Sequence, residues 1–174
     1  TATLYRLGID LLTEKPLFDK VVVDLTTTDK INWFVREGYL APLISKKPSM
    51  TIDITNVAMK GGDFEEHSLA EATDKDDLNK AVVQECIKQG ADRNYWLVYA
   101  TGKQHAEHLK EQFLAAGVTC EMLLGDASND ERTRLIGDKS TGKQGAFQLG
   151  CFRCLVTVGV LTTGFDFAPL DLIA

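Results

Sequence analysis

The stretch CFRCLVTVGVLTTGFDFAPLDLIA, residues 151–174, carries the strongest structural signal in the chain. Its apolar, β-branched run Leu155, Val156, Thr157, Val158 and Val160 has the composition of a parallel strand buried on both faces. The Thr-Thr-Gly-Phe-Asp that follows is a polar turn, with Gly164 where the backbone must come close to another group. Leu172 and Ile173 then begin a further strand. Two strands joined by a short loop containing Gly, Asp and Pro put Thr162, Thr163, Gly164 and Asp166 at the carboxyl edge of an α/β sheet, the edge at which such sheets bind ligands.

The 174 residues, 44% hydrophobic and 25% charged, suffice for one domain and part of a second. No apolar run approaches the roughly 20 residues that cross a bilayer, and no basic segment followed by an apolar stretch opens the chain. The expectation is a cytoplasmic protein without membrane partners. A net charge of -6 argues against a basic groove that grips nucleic acid by bulk electrostatics. Main-chain N–H groups, Ser/Thr hydroxyls and helix N-termini can hold a phosphate backbone without adding formal charge, so the balance does not exclude such a partner. Much of the acid lies between Asp63 and Asp77, as in a solvated linker.

Of the cysteines Cys86, Cys120, Cys151 and Cys154, the last two form a C-x-x-C at the mouth of a strand. Residues three apart on a strand point to opposite faces and do not readily share a metal, and no second pair has ligand spacing. Reduced, partly buried cysteines of a cytosolic core are expected, and no metal site.

Upstream, FDKVVVDL (18–25) reads as a strand and DKINWFVRE (29–37) as a short helix closed by Gly38. MTIDITNV (50–57) alternates like a half-exposed strand, and 60–77 reads as an acidic linker. A helix fits 75–89, with Thr73 or Asp74 as its N-cap and Gly90 past its end. WLVYATGKQHAEHLKEQFLAAG then gives a buried strand over 96–99, a Thr-Gly turn and a helix ending at Gly117, and TCEMLLG gives the next strand: a βαβ unit with parallel pairing. Ser128 and Glu131 form a capping box worth about 1 kcal/mol, opening a helix through Ile136.

Two features look like sites and are read otherwise. GDKSTGKQ (137–144) matches the first seven positions of a phosphate-binding loop, but Gln144 stands where a magnesium-binding hydroxyl belongs, and the segment follows a helix instead of a strand. Residues 137–146 are read as a mobile surface insertion. His105 and His108, three apart on a helix, find no carboxylate or thiol in sequence to complete a metal set. His105, beside the Thr101 turn, is also placed to approach a phosphate.

Residues Leu161–Asp166, LTTGFD, with Pro169 and Asp171, resemble motif V of superfamily 2 DExH helicases and translocases, in the branch of RadD-like and type III restriction proteins. The resemblance extends over most of the chain in order. Thr1-Ala2-Thr3 resembles motif III, although Leu4 replaces its usual Pro. GYLAPL (38–43) resembles the exit from the first domain, Tyr99-Ala100-Thr101-Gly102 resembles motif IV, and NDERTR (129–134) resembles the family's Glu-Arg helix.

The resemblance implies an α/β fold, a RecA-like parallel sheet flanked by helices. Residues 1–50 become the tail of a first RecA-like domain and 51–174 a second, helicase C-terminal domain broken off after motif V. It further implies ATP between the two domains, with Gly164 and Asp166 facing it and Asp166 bonding the ribose. Thr101, Gly102, Thr162 and Thr163 contact one nucleic-acid strand, DNA being the first expectation, and Thr1, Ala2 and Thr3 couple the domains. ATP and Mg2+ then belong to a parent protein that supplies the first RecA-like domain, and the chain alone binds neither tightly and has no catalytic residue. The alternatives are a free-standing α/β nucleotide- or phosphate-binding module and an interaction domain without a ligand.

Overall fold

Three parallel four-residue strands form the centre of the larger unit. In the computed structural model, which describes residues 5–6, 9–10, 13, 19–48, 50–162 and 164–174, the elements in chain order are β1 (Tyr5–Arg6), β2 (Ile9–Asp10), α1 (Thr28–Arg36), β3 (Met59–Lys60), β4 (Asp63–Phe64), α2 (Glu66–Thr73), α3 (Asp76–Gln89), β5 (Trp96–Tyr99), α4 (Lys103–Ala115), β6 (Cys120–Leu123), α5 (Asn129–Ile136), β7 (Cys154–Thr157) and β8 (Leu172–Ile173). The chain divides into two compact units, Thr1–Lys46 and Lys47–Ala174.

The larger unit is built on a four-stranded sheet in the order β6-β7-β5-β8. Every pair in it is parallel. Strand β7 pairs Cys154 to Thr157 against Trp96 to Tyr99 on one side and against Cys120 to Leu123 on the other. The sequence pattern implies that β5 and β6 pair directly; instead β7 lies between them. β7 and β5 are the two inner strands, and all four residues of β7 are buried.

Alternation along the strands separates two cores. Trp96, Val98, Cys120, Cys154 and Val156 face α3 and α4 and pack with Val83, Cys86, Leu109 and Phe113. Leu97, Leu123 and Leu155 face the other way, onto Leu135 of α5 and onto Phe147 and Phe152. Each large side chain buried in this way contributes about 1.5–3 kcal/mol. Helices therefore cover both faces of a parallel sheet, an α/β fold.

The helix signals act locally as expected in most places. Helix α4 buries Ala106, Leu109 and Phe113 at helical spacing. It ends in a left-handed glycine, Gly117 at φ 81°, with the Val118 N–H bonded to the Phe113 carbonyl at 2.9 Å. Ser128 caps α5 through its hydroxyl, which accepts from the Glu131 N–H at 3.1 Å. Helix α3 starts one residue late, with Lys75 at the N-cap and no side-chain cap. Thr73 and Asp74, read above as its caps, close α2 instead: the Thr73 hydroxyl donates back to the Leu69 carbonyl and Asp74 is the C-cap.

Three expectations fail. Residues 19–27 hold no strand, and Val21, Val22 and Val23 are exposed: a β-branched run becomes a strand only against another strand. Residues 50–57 hold none either, because Asp53 accepts from both the N–H and the hydroxyl of Thr55 and folds the segment into a local turn. The acidic stretch read as a linker contains the β3–β4 hairpin and α2.

The smaller unit pairs β1 with β2 antiparallel and carries α1, whose Trp33 and Phe34 rings meet the Tyr39 ring at 5.8 and 5.9 Å. Among the described residues no helix is long and apolar enough to cross a membrane.

Candidate functional site

Because β5 and β7 run parallel and in register, the turns that leave them emerge side by side at the carboxyl edge. The Ala100 N–H donates to the Thr157 carbonyl at 2.8 Å, so the two turns begin one hydrogen bond apart. The Tyr99 phenol then reaches across and donates to the Leu161 carbonyl at 2.9 Å. Burial holds the Tyr99 hydroxyl above its ordinary titration range, which keeps it a donor.

Leu161 has φ 64°, a left-handed conformation that costs a non-glycine residue roughly 1–2 kcal/mol. The Tyr99 bond and the packing of Leu161 and Val160 in the second core hold it there. Beyond it the loop opens into solvent. Thr162 and Gly164 are exposed, and Gly164 is left-handed at φ 75° with nothing within 4 Å of the position a Cβ would take. Asp166 is 86% exposed, with the Lys139 ammonium 3.7 Å away. Thr163, and likewise Thr1, Ala2 and Thr3, lie outside the described residues.

The turn after β5 is different in kind. The Thr101 hydroxyl lies 2.7 Å from the Thr73 hydroxyl and 2.9 Å from Nδ1 of His105, and the Thr101 N–H also donates to that Nδ1 at 3.2 Å. An Nδ1 that accepts from the amide belongs to a neutral imidazole with its proton on Nε2. Burial, the largest influence on His105, pushes its pKa below the ordinary value and favours that neutral form. Gly102 is the N-cap of α4, in extended backbone, and its carbonyl accepts from Ala106.

A second imidazole closes the wall. Nδ1 of His108 lies 2.9 and 3.0 Å from the two carboxylate oxygens of Asp74, and Asn79 donates to the same carboxylate at 2.8 Å. Burial alone would raise the Asp74 pKa, but these two bonds outweigh it and hold the carboxyl below its usual range. The Asp74 bond in turn holds His108 above its usual range. Between α2 and the start of α4 lies an open groove of about 610 Å³, lined among others by Asp74, Thr101, Gly102, Lys103, His105 and His108. The first turn of α4 carries no acidic residue.

Three further residues shape the site. Thr73 and Asp74, of which either has the local pattern of an N-cap for the next helix, carry no local signal in sequence that they face Thr101 and His108. Asp171 does carry a signal, its place in the Pro-x-Asp after the loop, and its role is structural. Its two carboxylate oxygens accept from the Asn94 and Tyr95 N–H groups, both at 2.8 Å, which ties the entry of β8 to the entry of β5.

The remaining sequence candidates settle in the fold. Residues 137–146 are no loose insertion: Asp138 and Lys143 exchange backbone bonds at 2.8 and 3.1 Å, Gly145 is buried, and a Cβ on Gly145 would lie 2.3 Å from the Gly137 nitrogen. Cys86, Cys120 and Cys154 are buried free thiols and Cys151 is exposed and free. Burial pushes Cys86 up to about 11, and the neighbouring Cys120 together with burial pushes Cys154 higher still, so both are protonated and unreactive. Among the described residues no group of His, Cys, Asp or Glu is arranged to hold a metal ion.

No family model matches the chain, and no curated protein matches it. Among solved structures, the helicase domain of Pyrococcus furiosus Hef is similar over 56% of this chain and 18% of its own length, at 18% identity and a TM-score of 0.41. A likeness at this level carries no argument about activity, and the α/β assignment rests on the strand order and the helices on both faces.

Proposed function

We propose that this chain contributes the second RecA-like domain of an ATP-dependent nucleic-acid helicase or translocase, of the DExH type in the RadD-like and type III restriction branch. The observation that supports this reading best is the parallel register of β5 and β7. It sets the Thr101–Gly102 turn and the Leu161–Asp166 loop side by side on the one edge where an α/β sheet takes its ligands.

The two turns suit different parts of the chemistry. Thr101 and Gly102, at the start of α4, offer a hydroxyl and main-chain N–H groups where the helix dipole favours a phosphate oxygen, and Thr162 and Thr163 would add their own from the loop after β7. The exposed Asp166 carboxylate can accept ribose hydroxyls, and Gly164 leaves the backbone open to close approach. The lysine and acids that hold the γ-phosphate and Mg2+ would come from a first RecA-like domain, with Thr1, Ala2 and Thr3 at the coupling between them. Hydrolysis would then drive closure of the two domains along a single strand, DNA in the first instance.

Alone, the chain should release no phosphate from ATP above the buffer blank, with or without DNA. In a protein that joins it to a Walker-bearing first domain, Asp166→Ala should raise the KM for ATP with little change in single-strand affinity without nucleotide. The loss is that of one charge-assisted hydrogen bond, about 1.5–3 kcal/mol. Thr163→Ala should do the reverse. Identical profiles for the two variants, or two silent variants, would refute the division of labour.

A further inference from the structure

We infer that the last turn of α2 is an intramolecular cap on the strand-binding turn, which a nucleic-acid strand must displace to reach Thr101; this rests on the strand-binding reading of Thr101 and Gly102 given above. A phosphate oxygen brings only acceptors, so the turn can bind it only through N–H and O–H groups that are free to point outward. At Thr101 neither is free. Its N–H is directed to Nδ1 of His105, and its single hydroxyl proton is shared between that nitrogen and the Thr73 hydroxyl at 2.7 Å.

Three side-chain ties fasten the α2–α3 corner to this turn and to the helix behind it: Thr73 to Thr101, Asp74 to His108 at 2.9 Å, and Asp76 to Gln112 at 2.7 Å. Helix α2 lies close as well, since a Cβ on Gly102 would sit 3.8 Å from the Ala70 methyl. The cap is also electrostatic. Asp74, held ionised by His108 and Asn79, sets a carboxylate on the wall of the same groove and repels an incoming phosphate.

Helix α2 is suited to leave. It has eight residues, shorter than a helix that stands alone in water, and of the residues whose side chains are described only Thr73 is buried. Leu69, Ala70 and Ala72 are half-buried, and of the three ties the two at Thr73 and Asp74 are made by its own end. Undocking would free the Thr101 hydroxyl and remove the carboxylate together, so one movement converts a closed turn into a phosphate site.

The test measures binding of a fluorescein-labelled single-stranded oligo(dT) by the whole chain, unaltered and with Thr73→Val, Asp74→Ala or both. The cap predicts tighter binding in the double variant by about tenfold, the factor given by ~1.4 kcal/mol. It also predicts that adding oligo(dT) to the unaltered chain speeds amide hydrogen exchange over 66–74 while slowing it over 101–105. Unchanged or weaker binding by folded variants, or slowed exchange over 66–74, overturns the cap. If the double variant does not fold, the exchange experiment on the unaltered chain decides alone. Thr101→Val separates the two ideas: binding that depends on Thr101 but ignores Thr73 and Asp74 removes the cap only, whereas binding that ignores Thr101, or no binding in any variant, removes the strand-binding reading and the cap with it.

Discussion

Two polar turns leave neighbouring strands at the same edge of the sheet, and they end in opposite states. At Thr101 the donors are consumed by Thr73 and His105, and the nearby carboxylate is consumed by His108 and Asn79. In the loop from Thr162 to Asp166, Phe165 packs on the second core while Thr162, Gly164 and Asp166 are exposed, and Asp166 makes a long pair with Lys139. Strand pairing decides where a turn lies. Whether its polar groups are available depends on what packs beside it, and here that is α2, an element that lies far away in sequence.

The sharpest way to break the comparison is to disturb a closed segment beside the open loop. Gly145→Val places a side chain against the backbone of Leu135, Ile136 and Gly137, which cannot yield as a flexible side chain would. It should lower stability by about 3 kcal/mol, seen as a large fall in Tm. A small change would mean that the 137–146 hairpin is as loose as its polar sequence suggests.

A pair of aspartates five residues apart gives the next largest contrast. Asp171→Ala removes two charge-assisted bonds to backbone N–H groups and should cost about 2 kcal/mol, while Asp166→Ala should cost less than about 0.5 kcal/mol. Urea midpoints of the two variants check this, and equal midpoints would contradict it.

The two histidines of the closed turn should respond oppositely to pH. His108 is raised by its bond to Asp74, so its stabilisation is complete below the unfolded value near 6.5 and fades as pH rises through the folded value. His105 is lowered by burial, so its contribution is complete above that unfolded value and fades as pH falls through the folded one. Between pH 5 and 8, Tm profiles of His108→Gln should lose stability chiefly on the acid side relative to the unaltered chain. Those of His105→Gln should lose it chiefly on the neutral side. Parallel profiles would show that neither imidazole is linked to the fold as its contacts require.

The smallest effect is expected at Lys139→Ala, where both partners of the ion pair are more than two-thirds exposed. Stability should change by less than about 0.5 kcal/mol in urea titrations, and a larger loss would show that the hairpin tip braces the open loop.

The same division explains what the sequence discloses. β5, β6 and β7 are legible because each apolar tetrapeptide has a partner inside the chain, and α4 and α5 are legible because their caps and apolar spacing act over one or two turns. The described part of the 18–25 run and the run at 50–57 look equally strand-like and are not strands: the first has no strand paired to it among the described residues, and Asp53 turns the second. Order along the chain also cannot say that β7 slips between β5 and β6, because pairing is settled by burial and not by succession. At the site, Thr101 and Asp166 are visible as turn residues. The hold of Thr73 on Thr101 spans 28 residues and has no local signature.

The most direct test of the central claim, that this carboxyl edge receives a nucleic-acid strand, is a two-dimensional amide NMR titration of the chain with single-stranded oligo(dT) at concentrations that reveal weak binding. The account predicts that the largest shifts fall together on residues 101–105 and 161–166, which are brought together by the β5–β7 pairing and the Tyr99–Leu161 bond. Shifts confined to one of the two turns, spread over α3, or absent at saturating oligonucleotide would contradict it.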